Sequence, residues 1–383
     1  MPRFREALAG PGLAGIAEVK RRSPSAGALR PGADPAELAA AFELAGAAAV
    51  SILVDPRFDG NVTDLTRARE ATRLPLLAKG FFSREEDLEA MHAAGADAVL
   101  LLLRDLDDAR AAVLQSHARR LGLDALVEVH DAAELERALR LDANPIGINA
   151  RDLGTFAIDR QAQLELVSRA PRDRVVVAES GIGSRAQAAA AELAGASSVL
   201  VGTTLMRAAD PARALRDLLQ RPLVKVCGLT RQEDADAAVA AGADLCGFIL
   251  AQESPRQAAG VLAISETVLS VGVYVGERGT GGDLQQLYAR ENGHRARHGA
   301  LYFGEREVAR VLDLPWLDPD PDHWADAAQT QGRVMLAGGL SPENVHDAIA
   351  AVRPWAVDAS SSLEIAPGIK DHARVRAFVE AAR

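Results

Sequence analysis

Short apolar runs of four to seven residues recur along this chain, each followed by a polar or glycine-containing loop and a stretch with helical spacing. This alternation is typical of β/α units whose strands form a parallel sheet. Eight runs occur by about residue 202, at residues 16–20, 48–53, 74–79, 98–103, 125–129, 145–149, 174–178 and 198–202. Eight units in so few residues favour a closed (β/α)8 barrel over an open sheet. An open sheet of the dinucleotide-binding kind would carry Gly-x-Gly-x-x-Gly after its first strand, and this chain lacks that motif there.

The same alternation begins again after a linker at residues 220–222. Its predicted strands are residues 223–227, 245–250, 268–275, 286–288, 300–303, 309–313, 334–337 and 356–358. Because these strands share only about 160 residues, we expect rudimentary helices or an incomplete strand between Gly276 and Asp313. The sequence therefore predicts an α/β protein of two consecutive (β/α)8 TIM barrels, residues 1–219 and 222–383, the second compact and with room for less than a full set of β/α units.

Composition narrows the classes of partner. A net charge of −10 over 383 residues argues against a nucleic-acid-binding surface, which needs a basic stripe. No apolar run approaches the roughly 20 residues that a membrane span requires, and the N-terminus does not resemble a signal peptide. Cys227 and Cys246 lie in apolar, strand-like segments, so we expect no disulfide framework and a cytoplasmic location. A monomer is the expected state, and an oligomer stays open.

Charged and amide side chains end several predicted strands of the first half. Active sites of (β/α)8 barrels lie at the carboxyl ends of the strands, so these side chains are expected to form one constellation. Glu18 and Lys20 share a face because successive strand side chains alternate. The full set of strand-end residues is Glu18, Lys20, Lys79, Glu128, Asn149, Arg151, Glu179 and Ser180.

Two of these residues invite a more specific interpretation. Lys79 lies between apolar segments, and partial desolvation is expected to lower its pKa toward the range useful for proton transfer. A lysine that extends along apolar surface to reach water is the alternative. Glu128 shares a strand face with Leu126 and is expected to point into the barrel, where a carboxylate needs a partner or a function.

Glycine-rich turns after the last two strands of each half indicate phosphate binding by backbone N–H groups. The predicted phosphate-binding residues are Gly181, Gly202 and Thr203 in the first half and Gly338, Gly339, Asp358, Ser360 and Ser361 in the second. The segment from Gly279 to Gly282 lacks the Lys-Ser/Thr of a nucleotide-binding loop, and His294 and His298 suit a solvated loop better than a metal pair. We therefore predict no cofactor and no metal.

Several segments in order resemble known families. IAEVKRRSPSAG, LLAKGFF, LVEVHD, IGINARDL, AESGI and LVGTTLM resemble indole-3-glycerol-phosphate synthase across almost all of residues 1–219. KVCGLT, ADLCGFILAQESPR, VGVYVGE, LAGGLSPENV and VDASSSLEIAPGIKD resemble phosphoribosylanthranilate isomerase over residues 222–383. Fusion of these two steps of tryptophan biosynthesis is a known arrangement of the pair, and small phosphorylated anthranilate-derived substrates are the implied partners.

The first resemblance implies closure of the indole ring with loss of carbon dioxide and water. It gives Lys79 the role of general acid on the substrate carbonyl and Glu128 that of proton transfer during dehydration. Lys20, oriented by Glu18, is implied to hold the anionic end of the substrate. The implied substrate-binding residues of this barrel are Ser23, Phe81, Asn149, Arg151, Glu179 and Ser180.

The second resemblance implies an Amadori isomerisation, which needs an acid to open the furanose and a base to remove the C2′ proton. Cys227 matches the family's base, and Arg256 matches the residue that binds the anthranilate carboxylate. Asp313 matches the acid, with Asp318 as the alternative. Two other interpretations stay open: a catalytically silent second barrel that binds phosphate as a scaffold or regulatory module, and a phosphosugar-binding sensor without turnover.

Overall fold

The computed structural model describes residues 3–23, 26–152, 154–314, 320 and 322–383. By its internal contacts the chain divides into two compact units. The first contains residues 1–183 and 188–219, and the second contains residues 184–187 and 220–383. Each unit is built around its own closed barrel of eight strands.

The first barrel is parallel throughout. Its strands are β1 (Ala14–Val19), β2 (Ala49–Leu53), β3 (Leu76–Lys79), β4 (Ala98–Leu102), β5 (Asp124–Val129), β6 (Ile146–Asn149), β7 (Val176–Glu179) and β8 (Ser198–Val201). Each pairs with the next along the chain, and β8 closes on β1 with Ala14 opposite Ser198. All eight predicted strands are confirmed, with ends shifted by one or two residues, because strands buried on both faces read as continuous apolar runs.

Helices alternate with these strands. They are α1 (Arg3–Leu8), α2 (Pro35–Leu44), α3 (Val62–Ala71), α4 (Glu85–Ala93), α5 (Asp108–Leu121), α6 (Ala132–Arg140), α7 (Arg160–Arg169), α8 (Arg185–Ala194), α9 (Thr203–Arg207) and α10 (Pro211–Leu219). Aspartate or asparagine caps begin many of them, as where the Asp34 carboxylate accepts from the amide of Ala36 at 2.9 Å. Phe4 and Leu8 of α1 are fully buried in one apolar cluster with inward residues of the barrel, which includes Ile16.

The second barrel has a mixed topology. Its strands are β9 (Leu223–Val226), β10 (Leu245–Ile249), β11 (Leu269–Val275), β12 (Leu284–Glu291), β13 (His294–Phe303), β14 (Arg306–Leu312), β15 (Val334–Leu336) and β16 (Ala356–Ala359). Strand β13 runs antiparallel to β12 and β14, whereas the other pairs are parallel. The helices are α11 (Gln232–Ala241), α12 (His323–Gln329), α13 (Val345–Val352) and α14 (His372–Ala381).

The second barrel was expected to lack part of a strand or some of its helices, and it is helices that are missing between Gly276 and Asp313. The eight predicted strands are all present, but β12, β13 and β14 are longer than predicted and are joined by hairpin turns. Asn292 and Gly293 have φ of 52° and 82°, the conformation of a two-residue turn whose twist suits a hairpin. Three strands that follow one another through short turns close the barrel wall without intervening helices, and we call β12–β14 the meander.

Within the described residues no helix is both long and apolar enough to cross a membrane.

Candidate active sites

Lys79 is the centre of the first site. It ends β3, and its ammonium Nζ lies 2.5 Å from Glu179 Oε2, 3.4 Å from Glu18 Oε2 and 3.8 Å from Glu128 Oε2. The three glutamates come from β7, β1 and β5 and are almost completely buried. One cation thus faces three carboxylates at the carboxyl end of the barrel, which is the end where the sequence places the site.

Glu18 holds a second cation. Its Oε1 lies 2.7 Å from Lys20 Nζ, so the carboxylate links Lys20 to Lys79. Burial acts to raise the pKa of Glu18, but the charges of Lys20 and Lys79 outweigh it and lower that pKa. Gly202 leaves room for this pair, because a Cβ at Gly202 would lie 2.3 Å from Glu18 Oε1.

Glu128 is held from two sides. Asn149 Nδ2 donates to its Oε1 at 2.9 Å, and His130 Nε2 lies 3.2 Å from the same oxygen. The other ring nitrogen of His130 lies 3.0 Å from Glu134 Oε2, so the imidazole sits between two carboxylates. Burial opposes protonation of the ring, but Glu128 and Glu134 raise the pKa of His130 to about 10. His130 is a residue that the sequence interpretation missed, although it lies in the segment LVEVHD.

Glu179 differs from the other two carboxyl groups in the direction of its pKa shift. Burial raises the pKa of Glu179 against the opposing charge of Lys79, and the nearby charge of Glu128 raises it further. Burial also raises the pKa of Glu128 in isolation, but the Lys79 charge and the contacts with His130 and Asn149 lower it overall. The site therefore contains one buried carboxyl group with a raised pKa, that of Glu179, and two with lowered pKa values, those of Glu18 and Glu128.

The expectation for the pKa of Lys79 is wrong in sign. Burial does act to lower it, as predicted, but the charges of Glu179, Glu18 and Glu128 outweigh burial and raise the pKa of Lys79 above its usual range. A lysine between apolar segments would show the lowered value. This lysine has three carboxylates from strands distant in sequence, and those partners decide the outcome.

The loops after β7 and β8 lie at the same end of the barrel. Ser180 and Gly181 have φ of 67° and 70°, a conformation that glycine favours and serine rarely adopts. Thr204 Oγ1 donates to the carbonyl of Ile182 at 2.7 Å, which ties the two loops together. Gly202 and Thr203 form the start of the short helix α9.

The remaining predicted residues of the first site lie on loops. Ser23 is buried in a short antiparallel ribbon after β1. The Phe81 ring is 39% exposed and has the Arg57 guanidinium 3.8 Å from its centroid. Arg151 follows β6, and its amide donates to Asn149 Oδ1 at 2.9 Å. The structure thus gathers Glu18, Lys20, Lys79, Glu128, Asn149 and Glu179 into one cluster. Ser23, Phe81 and Arg151 lie after the strands β1, β3 and β6, which end in residues of this cluster or directly before one.

Cys227 directly follows β9, and Lys225 two residues earlier shares its strand face. Lys225 is fully buried, with its Nζ 2.7 Å from Asp358 Oδ2 and 2.7 Å from Gln286 Oε1. Burial raises the pKa of the Cys227 thiol, and the neighbouring charge of Lys225 opposes that increase. Lys225 was missed by the sequence interpretation, although its i, i+2 spacing from Cys227 was visible.

The side chain of Asp358 has a different partner from the one expected. It was predicted to bind phosphate, but its carboxylate is the counter-ion of Lys225 inside the barrel. A second anion beside this carboxylate would be repelled, so we leave Asp358 out of the proposed phosphate site.

Asp313 follows β14, at the end of the barrel that carries Cys227. Its Oδ2 accepts from Tyr288 Oη at 2.9 Å and from an Arg295 guanidinium nitrogen at 2.8 Å. Gln286 Nε2 donates to Tyr288 Oη at 2.6 Å. A continuous polar network therefore runs from Asp358 through Lys225, Gln286 and Tyr288 to Asp313. Asp318, the alternative acid, lies outside the described residues.

Arg256, which is partly exposed, pairs with a buried carboxylate at this end. Its Nε lies 2.9 Å from Glu364 Oε2, and Glu364 Oε1 lies 2.8 Å from Lys370 Nζ. Lys370 Nζ also donates to the carbonyl of Ser360 at 3.1 Å. Among the described residues, the buried hydroxyl of Ser360 has no hydrogen-bond partner. Glu364 and Lys370 were not predicted, although both lie in the segment VDASSSLEIAPGIKD.

The other predicted phosphate residues of the second unit lie in two loops. Gly338 and Gly339 follow β15 with φ of 86° and 68°, and a Cβ at Gly338 would lie 2.4 Å from the amide nitrogen of Leu314. Ser361 begins a single 3₁₀ turn, Ser361–Leu363, after β16. In the part of the chain that the structure describes, no group of three or more His, Cys, Asp or Glu side chains is arranged to hold a metal ion.

Comparisons with known proteins find a different family in each half of the chain. The family model for indole-3-glycerol phosphate synthase matches residues 2–218, and the model for N-(5′-phosphoribosyl)anthranilate isomerase matches residues 322–381. Indole-3-glycerol phosphate synthase 2 of Streptomyces coelicolor is 46% identical over 217 residues, which is 56% of this chain and 84% of that protein. The indole-3-glycerol phosphate synthase of a Nocardioides species is 47% identical over 217 residues, and the match covers 82% of that protein.

Among solved structures, TrpF from Jonesia denitrificans is 30% identical, with 43% of this chain and 97% of that chain covered and a TM-score of 0.33. The synthase model spans more than half of the chain, and it includes Glu18, Lys79, Glu128 and Glu179. The chain therefore belongs to the indole-3-glycerol phosphate synthase family, with a segment that matches phosphoribosylanthranilate isomerase in its second half.

Proposed function

We propose that this chain catalyses two consecutive steps of tryptophan biosynthesis. The second unit isomerises N-(5-phosphoribosyl)anthranilate to carboxyphenylamino-deoxyribulose phosphate, and the first unit closes that product to indole-3-glycerol phosphate. The observation that carries the proposal is the position of Lys79 among three buried carboxylates at the carboxyl end of a barrel of the synthase family. Neither step needs a cofactor, because acid, base and charge stabilisation suffice.

In the first unit, the aryl carbon attacks the substrate carbonyl and forms the carbon–carbon bond. Lys79, which is protonated because its pKa is raised, gives a proton to the carbonyl oxygen as charge develops there. Carbon dioxide then leaves from the ring carbon, and its bonding electrons restore the aromatic system. Glu179 is the neighbour that can return a proton to Lys79, since burial raises the pKa of that carboxyl.

Dehydration follows in the same place. Glu128, whose lowered pKa keeps it ionised, removes a proton from the carbon next to the one that bears the hydroxyl, and a double bond forms between the two carbons. Lys79, reprotonated by Glu179, gives its proton to the departing hydroxyl, which leaves as water. Asn149 fixes the orientation of Glu128 through its amide. Lys20, paired with Glu18, attracts the anionic end of the substrate, and the loops at Ser180–Gly181 and Gly202–Thr203 offer backbone N–H groups to the phosphate.

In the second unit, Asp313 donates a proton to the furanose oxygen as the bond from that oxygen to C1′ breaks, which leaves a Schiff base with the anthranilate nitrogen. Cys227 then removes the C2′ proton as a thiolate, and the resulting enol-amine tautomerises to the ketone. Burial raises the pKa of this thiol overall, and the adjacent charges of Lys225 and Lys370 act against burial and favour the thiolate. Arg256 pairs with Glu364 in the absence of substrate, and it pairs with the carboxylate of the substrate when the substrate binds.

A silent second barrel is the less favoured alternative. The family model for the isomerase matches residues 322–381, and candidates for base, acid and carboxylate ligand all lie at the carboxyl end of this barrel. A scaffold that only bound phosphate would have no use for a buried lysine beside a cysteine. A sensor without turnover is likewise less favoured, because it needs no constellation like that around Lys79.

We also propose that the protein works as a monomer in the cytoplasm. Cys227 and Cys246 are both free and buried, which suits a reducing compartment.

The test is steady-state turnover of both substrates by the full chain. Wild type is expected to convert both. Cys227→Ala and Asp313→Asn are expected to abolish isomerisation and keep ring closure, whereas Lys79→Met is expected to do the reverse. Each variant is thus the folding control for the other reaction. Failure of the wild type to isomerise its substrate contradicts the bifunctional proposal, and failure to form indole-3-glycerol phosphate contradicts the synthase assignment.

A further inference from the structure

The meander supplies two side chains to the second site that no resemblance assigns. Tyr288 lies on β12 and Arg295 lies on β13, and both donate to Asp313 at the end of β14. In a fully parallel barrel β13 would run the other way and would be separated from β12 by a helix. The antiparallel hairpin instead returns the chain directly, so that a residue at the start of β13 lies beside the carboxyl end of β12.

Both donors reach the same carboxylate oxygen. Tyr288 Oη and the Arg295 guanidinium lie 2.9 Å and 2.8 Å from Asp313 Oδ2. Among the described residues no donor reaches Oδ1. When such a carboxyl group takes up a proton, the proton is carried on the other oxygen, since the held oxygen already accepts two hydrogen bonds.

Gln286 fixes the direction of the hydrogen bond between Tyr288 and Asp313. Gln286 Nε2 donates to Tyr288 Oη at 2.6 Å, and Gln286 Oε1 accepts from Lys225 at 2.7 Å. Because the amide nitrogen can only donate, the hydroxyl proton of Tyr288 points toward Asp313. Burial raises the pKa of Tyr288 well above its usual value, and the charge of Asp313 adds to the increase, so the hydroxyl stays protonated.

Arg295 is also oriented by the ring of Tyr288. Its guanidinium lies 4.2 Å from the ring centroid, a distance typical of a cation–π contact. Burial acts to lower the pKa of Arg295, but the proximity of Tyr288 and Asp313 raises it overall, so it remains a cation. The cation stabilises the carboxylate that Asp313 becomes once its proton has been given away.

We propose that Tyr288 and Arg295 are positioning residues for the isomerisation, which together hold Asp313 Oδ2 and leave Oδ1 to deliver the proton to the furanose oxygen. This inference rests on the proposed isomerase function. It assigns the meander a task in the reaction beyond closing the barrel wall.

The experiment compares Tyr288→Phe, Arg295→Met and Arg295→Lys in the full chain. Arg290→Met is the matched control, because Arg290 lies on the same hairpin and pairs with the exposed Glu253 at 3.0 Å. We expect Tyr288→Phe and Arg295→Met each to lower the kcat of isomerisation roughly tenfold with KM changed less than about twofold, as a loss of orientation does. Arg295→Lys is expected to recover part of kcat, and Arg290→Met to match wild type. Ring closure by the same preparations should be unchanged and shows that the chain is folded.

The outcomes separate the two levels of the proposal. Isomerisation by wild type that Asp313→Asn abolishes but Arg295→Met leaves intact overturns the positioning role alone. A raised KM at unchanged kcat in Arg295→Met places the guanidinium on an anion of the substrate and also overturns it. Wild type without isomerisation overturns the proposed function itself, and the positioning role with it.

Discussion

Lys79 and Glu179 form an ion pair of 2.5 Å across the first barrel, from strands β3 and β7 that lie on opposite sides of the closed sheet. The pair joins residues 100 positions apart in the chain. It places a cation and a carboxyl group with a raised pKa in direct contact at the position where substrate carbonyl chemistry is proposed.

Lys79→Met is expected to lower the kcat of ring closure by about 10²–10⁴-fold, the usual contribution of a positioned acid. It also leaves Glu18, Glu128 and Glu179 facing one another without their shared cation, so the midpoint of thermal unfolding should fall. Adding Glu179→Gln should restore part of the midpoint and none of the turnover. Recovery of turnover in the double variant would contradict the role of Lys79.

Gly147→Ala tests how closely Glu179 is held. A Cβ at residue 147 would lie 2.2 Å from Glu179 Oε1, and the fully buried carboxyl group must then move relative to Lys79. We expect a fall in the kcat of ring closure of roughly tenfold, since small misplacements of catalytic groups are costly. Gly10→Ala is the control, because nothing lies within 4 Å of its added Cβ. Equal kinetics of the two variants would contradict the assignment of Glu179.

His130 should make the stability of the first unit depend on pH. Glu128 and Glu134 overcome burial and raise the pKa of His130 in the folded state to about 10, whereas an unfolded histidine titrates near ~6.5. A raised folded pKa gives stabilisation that is full below ~6.5 and is lost as the pH rises toward 10. The stability difference between wild type and His130→Gln, measured by urea unfolding, should therefore shrink across this window. A difference that stays constant from pH 6 to 10 would contradict the prediction.

Lys225→Met should destabilise the second unit strongly. It removes the cation from a buried pair and leaves Asp358 without compensation, a change that typically costs about 3–5 kcal/mol. Lys225→Met with Asp358→Asn should recover part of the loss in urea unfolding, because the uncompensated charge is gone. Isomerisation should stay low in both, since the thiol of Cys227 loses its neighbouring ammonium. Full activity in the double variant would show that Lys225 does not support the thiolate.

The strands and strand-end residues were predictable from the sequence because their signals are local. A parallel strand buried on both faces reads as an apolar run, and barrel topology brings all the strand ends together. This is why Glu18, Lys79 and Glu128 were grouped before any distance was known. The pKa of Lys79 was not predictable, because its sign depends on three carboxylates brought close only by closure of the barrel.

One miss had a local signal that was overlooked. The hairpin between β12 and β13 contains Asn292-Gly293, a frequent two-residue hairpin turn, within a segment that was interpreted as a solvated loop. The contact of Arg295 with Asp313 depends on that hairpin, so it was not predicted either.

The meander also changes the order in which the second unit is expected to fold. Its three strands pair with neighbours in sequence through short turns, whereas β9 and β16 pair across more than a hundred residues. Local pairings form early because little chain entropy is lost in closing them. We therefore expect Tyr288, Arg295 and Asp313 to come together in a hairpin nucleus before the barrel closes around Cys227, so that the acid half of the site is assembled before the base half.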